Sequence, residues 1–119
     1  MNEHGKLSYV EFPAVDLDAT KNFFTTVFKW SFTDYGPDYS SFSDQGLSGG
    51  FYKSDLKSTT DNGAALLVLY SNDLEKTLDK VSASGGSIVK PIFSFPGGRR
   101  FHFTEPSGNE LAVWSEPLA

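Results

Sequence analysis

Leu7-Ser8-Tyr9-Val10-Glu11-Phe12-Pro13-Ala14-Val15-Asp16-Leu17-Asp18-Ala19-Thr20, continued as far as Trp30, reads as a strand, a short turn and a helix. Leu7 to Phe12 is rich in β-branched and aromatic residues and stops at Pro13, whose missing N–H ends or bulges a ladder. Asp16 can accept a bond from a free N–H in the first turn, and Asp18 suits the positive end of the helix dipole. Leu17, Thr20, Phe24 and Val27 follow at spacings of three and four, with Phe23 and Phe28 widening the stripe. The spacing predicts a helix over Asp16 to Phe28 with one apolar face.

The stretch has an echo. Asp73-Leu74-Glu75-Lys76-Thr77 repeats Asp16-Leu17-Asp18-Ala19-Thr20 57 positions on, and each copy follows a strand-like run. Phe42-Ser43-Asp44 returns as Phe103-Thr104-Glu105, and Gly46 as Gly108. Four landmarks in one order imply a duplicated module. The strands then fall at Leu7–Phe12, Trp30–Tyr35, Asp38–Ser43, Leu47–Lys53, Ala64–Tyr70, Ser87–Phe93, Arg99–Thr104 and Glu110–Trp114, with a second helix over Asn72–Ser84. Asp44-Gln45-Gly46 and Glu105 to Asn109 are tight turns, Phe95 to Gly98 is a loop, and Gly85-Gly86 ends the second helix. The expected fold is α+β: two tandem βαβββ modules, about 6–54 and 64–115, in a single 1–119 domain, joined by the polar stretch 57–63. Met1 to Lys6 is read as a frayed end.

Composition narrows the function. A net charge of −5, with Arg99-Arg100 as the one basic cluster, gives no nucleic-acid footprint. The absence of cysteine excludes disulfides, thiolate metal sites and cysteine nucleophiles. The longest apolar run, Ala64 to Tyr70, is far too short to cross a bilayer, and the polar N-terminus has no apolar signal region. A cytoplasmic protein, with no membrane partner, is the expectation.

Val15 to Thr20 with Phe23-Phe24 and Val27-Phe28-Lys29-Trp30, and Glu105-Pro106-Ser107-Gly108-Asn109-Glu110-Leu111 before the last strand, resemble motifs of the vicinal-oxygen-chelate superfamily. That superfamily holds glyoxalase I, bleomycin and fosfomycin resistance proteins and extradiol dioxygenases. The resemblance covers nearly the whole chain. It implies curled sheets with a helix on the outer face of each module, cups that hold small molecules, and a homodimer. It also implies metal ligands on the first and last strands of each module, which here fall on Tyr9, Gly50, Leu66 and Ala112. Three of these have no side-chain donor, and a neutral phenol is a poor ligand, so no metal and no other cofactor is expected.

Strand parity gives the remaining lining. Tyr9 and Glu11, then Leu66, Val68 and Tyr70, then Glu110, Ala112 and Trp114, share the cup face with Arg100 and His102. Tyr9, Val68, Tyr70, Arg100 and Trp114 are the expected ligand-binding residues, with the aromatic rings available to stack on a flat ligand. Glu11 and His102 are the candidate catalytic residues. A desolvated carboxylate or an imidazole could move a proton in a lyase or isomerase-type reaction. The plainer readings are a Glu11 that is exposed or paired with Arg99 or Arg100, and a His102 bonded to a neighbour. Three functions follow: a metal-free small-molecule binding protein, an enzyme using Glu11 or His102, or a structural or regulatory homodimer with filled cups.

Overall fold

The computed structural model describes residues 2–118; Met1 and Ala119 lie outside the described residues. Of the expected frayed end, Met1 is among the latter, while Glu3 and Lys6 close a turn through a 3.2 Å backbone bond. Module 1 contains β1 (Tyr9–Ala14), α1 (Leu17–Phe28), β2 (Phe32–Asp34), β3 (Tyr39–Gln45) and β4 (Leu47–Lys53). Module 2 contains β5 (Val68–Tyr70), α2 (Leu74–Ala83), β6 (Ser87–Phe95), β7 (Gly98–Thr104) and β8 (Glu110–Ser115). A 3-10 turn at Thr60–Asn62 lies between them.

The duplicated sequence builds duplicated structure. Sheet 1 has the order β1-β4-β3-β2 and sheet 2 the order β5-β8-β7-β6. In each the first and last strands pair parallel and the other neighbours antiparallel. Asp16 caps α1 by accepting the Ala19 N–H, and Asp73 caps α2 by accepting the Lys76 N–H. α1 ends on Lys29 in the left-handed region (φ 60°), and its N–H bonds the Phe24 and Thr25 carbonyls.

The core lies between the two sheets with α1 inside it. Phe24 stacks on Trp30 at 4.6 Å and touches Phe51 of sheet 1 at 5.5 Å. Phe23 and Phe28 reach Phe103 of sheet 2 at 5.7 and 6.2 Å. Val10, Phe12 and Phe42 face this core from sheet 1, and Phe101, Phe103, Leu111 and Val113 face it from sheet 2. By alternation, Tyr9, Glu11, Tyr39, Gly50 and Tyr52 share the opposite face of sheet 1, and Val68, Tyr70, Arg100, His102, Glu110, Ala112 and Trp114 that of sheet 2.

Several boundaries differ from the sequence reading. β1 starts at Tyr9 and runs through Pro13 to Ala14; it is an edge strand, where a residue without an N–H is tolerated. β2 keeps only Phe32–Asp34, because the left-handed turn at Lys29 throws Trp30 into the core. β5 keeps only Val68–Tyr70 of the expected Ala64–Tyr70. The start of β8 is already bonded to the linker: the Glu110 N–H donates to the Ser58 carbonyl at 2.8 Å, and the Asn109 side chain accepts the Ser58 N–H at 2.9 Å. The expected loop Phe95–Gly98 shrinks to a turn at Pro96-Gly97, with β6 extended to Phe95. Pro91 sits inside β6 where its register with β7 shifts, again on an edge strand.

Candidate functional site

On the open face of sheet 1, the Tyr39 hydroxyl donates to Glu11 Oε2 at 2.8 Å. Its own oxygen stands 2.5 Å from the Tyr9 hydroxyl, which is left as the donor. Burial, then the bonds with Tyr9 and Glu11, push the Tyr39 phenol well above its usual range. The register sets Glu11 opposite Gly50 and Gly50 opposite Ser41, so the phenol crosses the strand over Gly50. A Cβ built on Gly50 would lie 2.1 Å from Tyr39 Oη. The glycine is required by the ring above it. Among the described residues Glu11 has no ion-pair partner; Arg99 is engaged by Glu75 at 2.5 Å.

On sheet 2, His102 Nδ1 lies 2.7 Å from Glu110 Oε2, and both residues are buried. Thr60 donates to Glu110 Oε1 through its N–H at 2.9 Å and its hydroxyl at 2.8 Å. Burial pushes the Glu110 carboxyl up, but the bonds from His102 and Thr60 prevail and hold it below the usual carboxylate range. An ionised acceptor fixes the His102 proton on Nδ1, and buried Nε2 has no partner among the described residues. The imidazole lies 5.8 Å from the Phe93 ring. The Arg100 guanidinium sits over Phe93 and Phe95 at 5.3 and 5.5 Å. Tyr70 meets the edge of Trp114 at 5.3 Å, and its hydroxyl donates to Glu116.

The expected site residues thus form two groups. Tyr9 and Glu11 meet on sheet 1; Val68, Tyr70, Arg100, His102 and Trp114 share sheet 2. Among the described residues no hydrogen bond, ion pair or ring contact joins one group to the other within the chain. Tyr39 and Glu105 were given no site role from the sequence, and Glu110 was placed on the cup face without one. Tyr39 was signalled only by the glycines of β4, Glu110 by its alternation with Ala112, and Glu105 by its motif.

Glu105 lies in the seam between the modules and is 2% exposed. It accepts the Thr20 hydroxyl of α1 at 3.0 Å, the Ser107 N–H and the Asn109 amide. Asn109 also donates to the Pro13 carbonyl of β1 at 2.6 Å, and Ser107 Oγ accepts the Asp16 N–H at 3.1 Å. Burial without a cation pushes Glu105 up to about 7 against these donors. A groove of about 690 Å³ opens elsewhere along the seam, on the core side of the sheets, between Val10, Phe12 and Trp30 of module 1 and Leu66–Tyr70 of module 2.

The ligand positions implied by the resemblance do not fit a metal. Gly50 is covered by Tyr39, the Tyr9 phenol is hydrogen-bonded to Tyr39, Ala112 carries a methyl group, and Leu66 precedes β5. Among the described residues no group of three or more His, Cys, Asp or Glu side chains is placed to hold an ion.

A search of curated proteins found no match. Solved structures share the architecture. A glyoxalase-related enzyme from Fulvimarina pelagi superposes with a TM-score of 0.79 at 16% identity, over 94% of this chain and 88% of that one. A fosfomycin resistance protein from Listeria monocytogenes gives 0.77 at 16%, over 98% and 97%. An antibiotic binding protein from a Streptomyces strain gives 0.68 at 15%, over 98% and 99%. The family model for the Glyoxalase/Bleomycin resistance protein/Dioxygenase superfamily matches residues 6–113. With the doubled sheet-and-helix plan and the Glu105–Asn109 turn in place, the chain belongs to that superfamily.

Proposed function

We propose that this chain is a small-molecule binding protein that works without a divalent metal. The carrying observation is the Tyr39 phenol, which fills the space over Gly50 where a ligating side chain would begin. In its place the face offers a carboxylate, two hydrogen-bonded phenols and the aromatic surface of Tyr52. Module 2 contributes the Tyr70–Trp114 pair and Arg100. Such a surface suits a flat aromatic or amphipathic molecule. The antibiotic binding and fosfomycin resistance proteins of the same fold support the class of activity.

The acting form is a homodimer. Tyr9 is 49% exposed, Val68 43% and Tyr70 52%, so part of each cup face stands open on the single chain. A second copy would cover them and close the cups. An enzymatic reading would rest on the His102–Glu110 pair, whose Nδ1 and Oε2 lie 2.7 Å apart.

The test is elemental analysis of protein incubated with zinc, manganese or nickel and then desalted, followed by a thermal-shift screen with flat small molecules. The expected results are less than one metal per ten chains and a raised melting temperature with some of the compounds. One tightly held metal per chain would overturn the proposal.

A further inference from the structure

A concavity of about 690 Å³ lies on the core side of the sheets and reaches the β5 edge. Its floor is made by Phe12, Trp30 and Phe42, all buried, and its walls by Val10, Phe28 and Leu67. We propose that this groove is a second binding site, built for an uncharged apolar molecule.

Three observations carry this. The volume of about 690 Å³ is in the range of small-molecule sites and above that of packing defects. The chain has 25 Asp, Glu, Lys and Arg residues among 119, and none lines the groove. A charged ligand would lose its hydration there without a partner, whereas a hydrocarbon loses nothing polar. The third is the kind of polar group the lining offers, which is uncharged. Gln45 sits at the exposed rim, and Val68–Tyr70 pair only with β8, so the other side of that backbone is open to one hydroxyl or carbonyl of the ligand. The walls come from both modules, so an occupant there would hold them together. The rim at Val68 and Tyr70 is shared with the outer face of sheet 2, whereas the floor of Phe12, Trp30 and Phe42 lies on the core side.

The probe is Nile red, an uncharged dye, read in a Trp114→Phe background that leaves Trp30 as the one tryptophan. The expected result is saturable binding of one dye per chain, with blue-shifted dye emission and quenched Trp30 fluorescence. Leu67→Glu puts a charge into the wall and weakens binding at least tenfold. Leu47→Lys, at a half-exposed hairpin position, does the same where Leu67→Glu fails to fold. Non-saturable binding, or binding that survives both substitutions, overturns the proposal. Loss of the dye in Glu11→Gln with retention in Leu67→Glu places it on the outer face, which also overturns it. So does a seam that binds no dye and whose substitutions only shift sedimentation from dimer to monomer. None of these outcomes touches the metal analysis, so the two proposals stand or fall separately.

Discussion

Glu105 makes the stability of the chain depend on pH in a direction that is unusual for a carboxylate. Its ordinary value is 4.5 and burial raises it to about 7 in the folded chain. The folded state therefore keeps its proton longer than the unfolded state. Below pH 4.5 both states are protonated and the full stability is present. Between 4.5 and about 7 it is progressively lost, and above that the loss is constant. At about 1.4 kcal/mol per decade of proton affinity, the loss is about 3 kcal/mol. Asp16 and Asp18 near the seam are acidic too, and among the described residues Glu105 has no ion-pair partner to offset it. Glu105→Gln removes the charge and one acceptor oxygen, at a cost of about 1 kcal/mol for the acceptor. At pH 5 the parent has already lost about as much as the missing acceptor costs, so the variant is expected to match it there and to be more stable by about 2 kcal/mol at pH 8. Urea unfolding followed by tryptophan fluorescence from pH 4.5 to 8.5 measures both, and subtracting the two profiles removes the histidines. Parallel profiles would refute the reasoning.

Gly50→Ala drives a methyl group into the Tyr39 hydroxyl; the ring must leave, with a loss of about 1–3 kcal/mol in chemical denaturation and a Tyr39 phenol that titrates nearer 10 in ultraviolet difference spectra. Asp16→Ala and Asp73→Ala each remove a helix cap and should lower stability by about 1 kcal/mol; the caps share no partner, so the double variant should lose about the sum in urea unfolding. Phe24→Ala empties a position touched by Phe23, Trp30 and Phe51 and should cost about 3–5 kcal/mol, read as a collapse of the thermal transition.

What the sequence disclosed was whatever depends on short spacings. The caps at Asp16 and Asp73, the apolar stripe of α1 and the turn before β8 are set by neighbours within a few residues. Arg100 and His102 were separable from Phe103 by alternation alone. Hidden features depend on contacts across the fold. Tyr39 meets Glu11 across two strand pairings, and only Gly49-Gly50 inside a strand hinted that something large lay close. Glu105 was legible as a turn residue, but its burial comes from Thr20, 85 positions away. The apolar run Ala64–Leu67 reads as strand, and nothing local reveals that Ser58 already occupies the start of β8.

The ring lying over Gly50 also constrains how this chain can change. A substitution that introduces glutamate or histidine at position 50 meets an oxygen 2.1 Å from its first side-chain atom. Such a variant is penalised before it can gain any new chemistry. Shrinking residue 39 first opens the space but dissolves the hydrogen-bonded trio. The order of steps is therefore constrained: descendants seeking an ion must give up the tyrosine before they can try the ligand, which makes the present state hard to leave one codon at a time.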